Sequence, residues 1–369
     1  MTDPASSDWV PWSDRGAPFR IRVFCAAARH AGGSDDLAGR RCQVRRGRSW
    51  SAARAWCAGV CGQAGHVLVC GGRDNRGVRW RIRPFVPAAD REWVGRLWVA
   101  AMPPSWRLLP AGIAMLADGL VAEAGTGPVG MAAADRAGSV PLILVHPAWQ
   151  GRGIGTGLLA AALDALRAGG AGEVWAGNGG DRYIWPGVPR DLPGAVAFFT
   201  ARGWRHGYDT LDLVADLAGY RPPAAAAARA AGAGVSPALA RAGDLAEVRA
   251  FEAATFPSWA RWFSARTDGI LIARDAEGKI AGTLLLDGPG ADTVYAPMLG
   301  PAAGTIGCVG VAPPLHGRGI GTALVIGASQ ILSQAGTRAC HIGWTASEAF
   351  YRRAGYQPWR RYAMFHSPP

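Results

Sequence analysis

Val145-His-Pro-Ala-Trp-Gln-Gly-Arg-Gly-Ile-Gly-Thr156 and Val311-Ala-Pro-Pro-Leu-His-Gly-Arg-Gly-Ile-Gly-Thr322 share the hexapeptide Gly-Arg-Gly-Ile-Gly-Thr and the setting around it. Just before each turn, Leu142 to Val145 and Ile306 to Val311 are short apolar runs of strand type. Downstream, Leu158, Leu159, Ala162, Leu163 and Leu166 recur with a helical period, as do Leu324, Val325, Ala328, Ile331 and Leu332. Strand, glycine turn and helix therefore occur twice in one chain. Glycines between a strand end and a helix start let the backbone approach a ligand closely, and free N–H groups with the helix dipole favour an anion there. The repeat reads as a duplicated phosphate-binding unit.

Glycine spacing narrows the ligand. A dinucleotide fingerprint needs G-x-G-x-x-G, but positions 156 and 322 are Thr. A Walker loop needs G-x-x-x-x-G-K-[ST], and Lys279 is the only lysine in the chain. Both nucleotide readings fail. What remains, Gln150-x-x-Gly153-x-Gly155 after a strand, resembles the acyl-CoA pyrophosphate loop of the GNAT acetyltransferase superfamily. The resemblance continues downstream in Ala349-Phe-Tyr351-Arg-Arg-Ala-Gly355-Tyr356 and its counterpart Ala197-Phe-Phe199-Thr-Ala-Arg-Gly203-Trp204. Upstream, Val129 to Asp135 and Ile280 to Asp287 look like the matching hairpin strands.

The resemblance implies an α/β fold of two tandem GNAT-like modules, each a mixed twisted sheet flanked by helices. It implies acetyl-CoA, or another acyl-CoA, as donor, a small-molecule amine as acceptor, and direct transfer without a cysteine nucleophile. Its loop residues fall on Gln150, Gly151, Arg152, Gly153, Ile154, Gly155 and Thr156, and on His316, Gly317, Arg318, Gly319, Ile320, Gly321 and Thr322. Leu144, Val145, Val309 and Val311 would line the donor along the preceding strands, and Asn178 would meet it after the next strand in the first half. Tyr351 stands where the family has its general acid; the alternative is a helix tyrosine packed in the core beside Phe350. The corresponding position in the first half is Phe199, which has no hydroxyl. The C-terminal module is therefore read as catalytic, and the N-terminal one as a CoA-binding or structural partner. A non-catalytic tandem CoA-binding or regulatory protein is the alternative.

A general base is less visible. His341 alternates with Ile342 on an expected strand, so it is read either as a catalytic group facing the cleft or as a core histidine. Glu348 is assigned to a capping box, Thr345-Ala-Ser-Glu348, at the start of the Tyr351 helix. The two loops lie 166 positions apart but Gly203 and Gly355 only 152, so the first half carries 14 extra residues between loop and helix end. That insertion holds Tyr183 and Trp185, read either as an acceptor wall or as a packed spacer; Trp259 is a further acceptor-site candidate.

The 369 residues are divided into an Arg- and Cys-rich extension (1–79), the N-terminal module (80–216), a linker (217–235, with a short helix as the alternative) and the C-terminal module (236–369). Residues 1–79 carry 13 Arg against 6 Asp and five of the seven Cys, so most of the net charge of +12 lies outside the modules. Arg40 to Arg48 is a basic cluster, but clustering alone is weak support and no nucleic-acid partner is expected. Cys57, Cys61, His66 and Cys70 do not follow a usual zinc spacing, so no metal is assigned. No apolar stretch reaches the ~20 residues of a membrane span and the polar start lacks a signal peptide's regions, so a cytoplasmic location is expected. Nothing in the pattern bears on oligomeric state.

Overall fold

The computed structural model describes residues 79–368 apart from 108–115, 117, 126, 136–137, 178–183 and 292–294, and before these only three short strands. Two compact units are present, Met1–Val69 and Cys70–Pro369. In the first, β1 (Arg22–Val23) pairs antiparallel with β2 (Cys42–Gln43). The basic cluster around those last residues and Cys57, Cys61 and His66 lie outside the described residues.

The second unit runs β3 (Cys70–Arg73), β4 (Arg79–Pro84), α1 (Pro87–Ala101), β5 (Gly119–Ala124), β6 (Gly127–Asp135), β7 (Ser139–Val145), α2 (Ile154–Ala168), β8 (Trp175–Ala176), β9 (Val188–Pro189), α3 (Pro193–Thr200) and β10 (Arg205–Asp216). After α4 (Ala224–Ala231) come β11 (Ala238–Leu239), α5 (Leu245–Thr255), α6 (Ala260–Ser264), β12 (Ile270–Arg274), β13 (Ile280–Asp287), α7 (Ala296–Leu299), β14 (Ala303–Val311), α8 (Ile320–Gln334), β15 (Ala339–Thr345), α9 (Glu348–Arg353) and β16 (Gln357–His366). Residues 70–73 pair with β4 and so belong with the sheet, inside the segment read as an extension. The stretch 217–235 carries α4, the helical alternative for the linker.

Strands β3 to β16 make one mixed sheet in the order β11-β12-β13-β14-β15-β10-β16-β8-β7-β6-β5-β4-β3, with β9 beside β16. Each half has antiparallel hairpins and one parallel pair, β7 with β8 and β14 with β15. The halves are joined by exchanged strands. β10, from the first half, pairs with β15 of the second; β16, from the second, pairs with β8 of the first; and β10 pairs with β16. Two long strands of 12 and 10 residues thus satisfy each other's edges in the middle of the sheet.

Both faces of the sheet are covered. In β12 the alternation sends Leu271 and Ala273 to a core with α8, and Ile270 and Ile272 to a core with α5 and α6. In the first half Ala122 and Ala132 face α2, while Val121, Met131 and Ala133 face α1. α2 buries Ile154, Leu158, Leu159, Ala162 and Leu166, the stripe visible in its spacing. One local expectation fails at α9, whose N-cap is Ser347 and not Thr345. Thr345 instead accepts the Ser347 N–H through its hydroxyl, a turn that absorbs the residue meant to cap. Glu348 then stands at the first helical position and pairs with Arg361 of β16 at 2.9 Å.

Candidate active site

The two glycine turns have the same backbone. Gly151 and Gly153 take φ of 72° and 80°, and Gly317 and Gly319 take 80° and 90°, values that side chains disfavour. Gly153 and Gly319 are the N-caps of α2 and α8, and neither end has a side-chain cap. The first-turn N–H groups are left for an external acceptor. Gly155 and Gly321 each face an aromatic ring of the later helix: a Cβ there would lie 3.1 Å from Phe198 and 3.2 Å from Phe350. Gln150 donates from Nε2 to the Val145 carbonyl at 3.0 Å, and His316 donates from Nε2 to the Val311 carbonyl at 2.8 Å. The imidazole reproduces the amide's contact.

Around these turns the halves differ. Gly153 is exposed and nothing would meet a Cβ there, whereas Gly319 is buried and a Cβ would lie 2.6 Å from the Arg229 carbonyl at the end of α4. Arg229 also donates to the Gly317 carbonyl at 2.7 Å. In the first half, Arg202 lies over the Phe198 ring and donates to Thr156 at 2.6 Å, while Arg152 lies over Trp149. Arg318 is exposed and Thr322 is buried.

Behind each turn the parallel strands part. β7 meets β8 only at Ser139 and Val140, and β14 meets β15 only from Ala303 to Ile306. In the second half both walls bulge as they diverge. On β14, Cys308 and Val309 together oppose Leu284, and Cys308 has φ 50°. On β15, Gly343 and Trp344 together oppose Asp212, and Trp344 has φ 51°. A bulge re-aims backbone groups out of the ladder, here beside a gap between strands. Asp212, wholly buried on the exchanged strand β10, accepts the Trp344 N–H at 2.9 Å and the Tyr362 hydroxyl at 2.6 Å. A residue of the first half therefore fixes a wall in the second.

The first gap is filled. Trp185, from the 14-residue insertion, donates from Nε1 to the Pro141 carbonyl at 2.8 Å, where β7 leaves β8. Its ring stacks on Trp98 and meets Trp106 edge-on, both at 5.4 Å, and only 7% of the residue is exposed. The irregularity in the β6–β7 pair falls at Val140 and Pro141, which together oppose Ala134 where this gap begins; beyond it Leu142 to Val145 pair in regular register with Gly130 to Ala133, and Leu144 is buried toward α1. Of the two readings of the insertion, the Trp185 geometry is that of a packed spacer. Asn178 and Tyr183 lie outside the described residues.

Tyr351 is buried on α9 beside Phe350 and Tyr356, and its burial raises the phenol well above its ordinary range. Phe199, its counterpart, is buried against Trp204 and Phe365. His341 is enclosed, with the Tyr295 ring 4.3 Å away and Trp359 at 5.8 Å. Its Nε2 stands 3.2 Å from the Asp212 carboxylate but off a hydrogen-bonding line, so it has no hydrogen-bond partner among the described residues. That enclosure matches the core alternative for this histidine. Trp259 stacks on Phe256 at 5.0 Å and is half-buried against α5. Val309 and Val311 border the second gap and pack partly against the α8 core. Burial pushes the Cys308 and Cys340 thiols up to about 12, so neither is a ready nucleophile.

The profile of the acetyltransferase (GNAT) domain matches residues 117–206, and that of the acetyltransferase (GNAT) family matches residues 239–356. A mycothiol acetyltransferase of Clavibacter michiganensis subsp. michiganensis is 30% identical over 252 residues, which is 62% of this chain and 73% of that protein. The chain belongs to the GNAT acetyltransferases. Among solved structures, this tandem GNAT chain is similar to a GCN5-related glucosamine N-acetyltransferase region in a fungal multi-domain beta-N-acetylglucosaminidase. The TM-score is 0.72 at 28% identity, over 78% of this chain and only 38% of that one. A tandem GNAT protein from the clavulanic acid biosynthesis pathway shares the fold at a TM-score of 0.55 and 19% identity, over 79% of this chain and 99% of that one.

One group in this GNAT chain was missed in the sequence. Glu252 on α5 has no solvent exposure, accepts a hydrogen bond from the Thr283 hydroxyl through Oε1, and has no hydrogen-bond partner for Oε2 among the described residues. Desolvation lifts its carboxyl from 4.5 to about 7, against the opposing effect of the Thr283 hydrogen bond. Its signal was a charge on the inward stripe of the half-buried Leu245 and the buried Val248 and Glu252. No helix among the described residues is long and apolar enough to cross a membrane, and no cluster of metal-ligating side chains occurs among them.

Proposed function

We propose that this acetyltransferase moves the acetyl group of acetyl-CoA directly to the amine of a small molecule, with the chemistry in the C-terminal half. The observation that carries the reading is the contrast between the two gaps. In the second half the strands open between two bulged walls with Tyr351 alongside; in the first, Trp185 occupies the opening and the tyrosine is Phe199. The pyrophosphate would lie on the N–H groups of Gly317 to Thr322 at the start of α8, and the pantetheine along Val309 to Val311. The loop of residues 150–156 is a second CoA cradle or a structural copy.

In this reading the amine attacks the thioester carbonyl, backbone N–H groups at the bulge hold the developing oxyanion, and the C–S bond breaks. Tyr351, kept protonated by burial, returns a proton to the thiolate. A thiol of pKa about 8.5 leaves fairly well unaided, so the phenol accelerates the step and is not indispensable. The similarity to a mycothiol acetyltransferase and to a glucosamine N-acetyltransferase region supports a polar, amine-bearing small molecule as acceptor. Calorimetry with acetyl-CoA, then thiol release with an amine panel that includes glucosamine, tests the reading. Binding is expected, with a fall of about 10²-fold in kcat for Tyr351→Phe at little changed KM for acetyl-CoA. Absence of acetyl-CoA binding sinks the proposal, and tight binding without turnover of any amine points to a non-catalytic CoA-binding protein.

A further inference from the structure

The sheet face opposite α8 holds a carboxyl group that neither packing nor pairing explains. Glu252 is the charged member of the buried stripe of α5, and Phe256, one turn on, lies against Gly310: a Cβ on that glycine would stand 2.5 Å from its ring. Thr283, which donates to Glu252, is the register partner of Gly310. The helix thus sets Glu252 beneath the strand pair that continues directly from the Cys308 and Val309 bulge. A fully buried carboxyl normally has both oxygens partnered or is replaced by an apolar residue. Here one oxygen is held in place and the other is left over.

We propose that Glu252 is the general base of the transfer, taking the proton that the acceptor's ammonium must lose before its nitrogen can attack. This rests on the acetyl-transfer reading of the second gap. Tyr351 belongs to the α8 core and Glu252 reaches the same bulged strand from the α5 side. The two groups therefore address the two ends of the reaction. The N–C bond forms as the ammonium proton passes to Glu252 directly or through one water; the C–S bond breaks, and Tyr351 protonates the sulfur. The second amine proton passes to the phenolate that Tyr351 becomes, and Glu252 releases its own to solvent. The sum is ammonium plus acetyl-CoA giving amide, CoA thiol and one proton.

Other carboxylates near the strands are already partnered: both oxygens of Asp212 accept hydrogen bonds, from the Trp344 N–H and the Tyr362 hydroxyl. Asp287 is tied to Arg266 at 2.5 Å, and Glu348 to Arg361. Glu252 has no such partner: Arg249 on its own helix is exposed, Thr283 faces it from β13, and the Cys308 thiol on β14 is the nearby titratable group that senses its charge. Cys308, at the bulge, also feels Arg266, and Tyr351 feels Cys308. Burial pushes the Glu252 carboxyl up to about 7, the range in which a base near neutral pH is both available and strong enough.

The test is the pH profile of kcat/KM for thiol release from acetyl-CoA, with glucosamine and other small amines as acceptors, in the full chain. Wild type should show an ascending limb near pH 7. Glu252→Gln should lose that limb and fall about 10²-fold at neutral pH, with acetyl-CoA affinity within about threefold and activity regained toward high pH. Thr283→Val should move the limb upward, because the hydrogen bond it removes favours the carboxylate. Stability supplies an independent reading. A folded-state pKa raised above the unfolded value means that Glu252 costs stability increasingly as pH rises from 4.5 through about 7, so Glu252→Gln should gain on wild type across that window. Turnover in Glu252→Gln with the limb intact overturns this role while leaving the transferase reading standing. A wild type that binds acetyl-CoA and turns over no amine overturns both, and a wild type that binds no acetyl-CoA overturns the transferase reading first.

Discussion

The two halves carry the same hexapeptide with the same backbone, and they have opposite surroundings. In the N-terminal half the turn is open, with Gly153 exposed, while the strand gap behind it is closed by Trp185. In the C-terminal half the turn is backed by α4 on Gly319, while the gap lies between two bulges. Identical loops therefore sit in unlike surroundings. What separates them is the strand geometry behind the loop and one 14-residue insertion. The exchanged strands keep both halves in the molecule even if one does no chemistry, because Asp212 on β10 holds the Trp344 wall and Tyr362 on β16 is packed against Trp106.

The largest expected effect comes from removing what closes the first gap. Trp185 is enclosed by Trp98 and Trp106, and the adjacent Ile184 carbonyl accepts the Tyr295 hydroxyl from the other half at 2.9 Å. Trp185→Ala should destabilise the chain by about 3–5 kcal/mol, the range for a large buried aromatic, read as a lowered denaturant midpoint at unchanged m-value. A loss below about 1 kcal/mol would mean that the first gap is open space and that the contrast with the second is overstated.

A smaller effect separates the two turns. Gly153→Ala and Gly319→Ala both place a side chain at positive φ, costing on the order of 1 kcal/mol each. Only at Gly319 would the new Cβ also meet a backbone carbonyl, that of Arg229. Gly319→Ala should therefore be the worse of the pair by about 1–3 kcal/mol, the usual range for overpacking. Equal losses would show that α4 gives way freely, and the second turn would then be as open as the first.

Much of this was legible from residue spacing. The two stripes on α2 and α8 follow from local periodicity, which the sheet faces enforce, while the strands Ile280 to Asp287 and Val129 to Asp135 and the helix that carries Tyr351 were legible through the resemblance to the GNAT family. The strand exchange did not show, because β10 and β16 have the same alternation whichever neighbour they pair with. The bulges were hidden for a related reason: Cys308 and Trp344 take positive φ through register, not through a glycine that would announce it. His341 could point to either face of β15, and only the packing of Tyr295 and Trp359, far away in sequence, decided that it is enclosed. The Thr345 to Glu348 pattern misled because a capping box and a hydroxyl-closed turn share the same residues.

The smallest effect concerns the one residue in which the two loops themselves differ. Gln150 and His316 open their turns, and each donates from a side-chain nitrogen to the carbonyl of the residue five positions earlier, Val145 or Val311. The donor atom sits at a similar reach from the backbone in both side chains, so the turn is held in the same way by amide or imidazole. His316→Gln should change stability by less than about 1 kcal/mol, the net value of one such hydrogen bond, and in the proposed donor site the phosphate contacts fall to backbone N–H groups. The KM for acetyl-CoA should move less than about threefold, and Gln150→His should behave alike. A tenfold rise in KM with His316→Gln, worth about 1.4 kcal/mol, would mean that the imidazole touches the donor itself. The asymmetry of the halves would then begin inside the repeated loop, and not behind it.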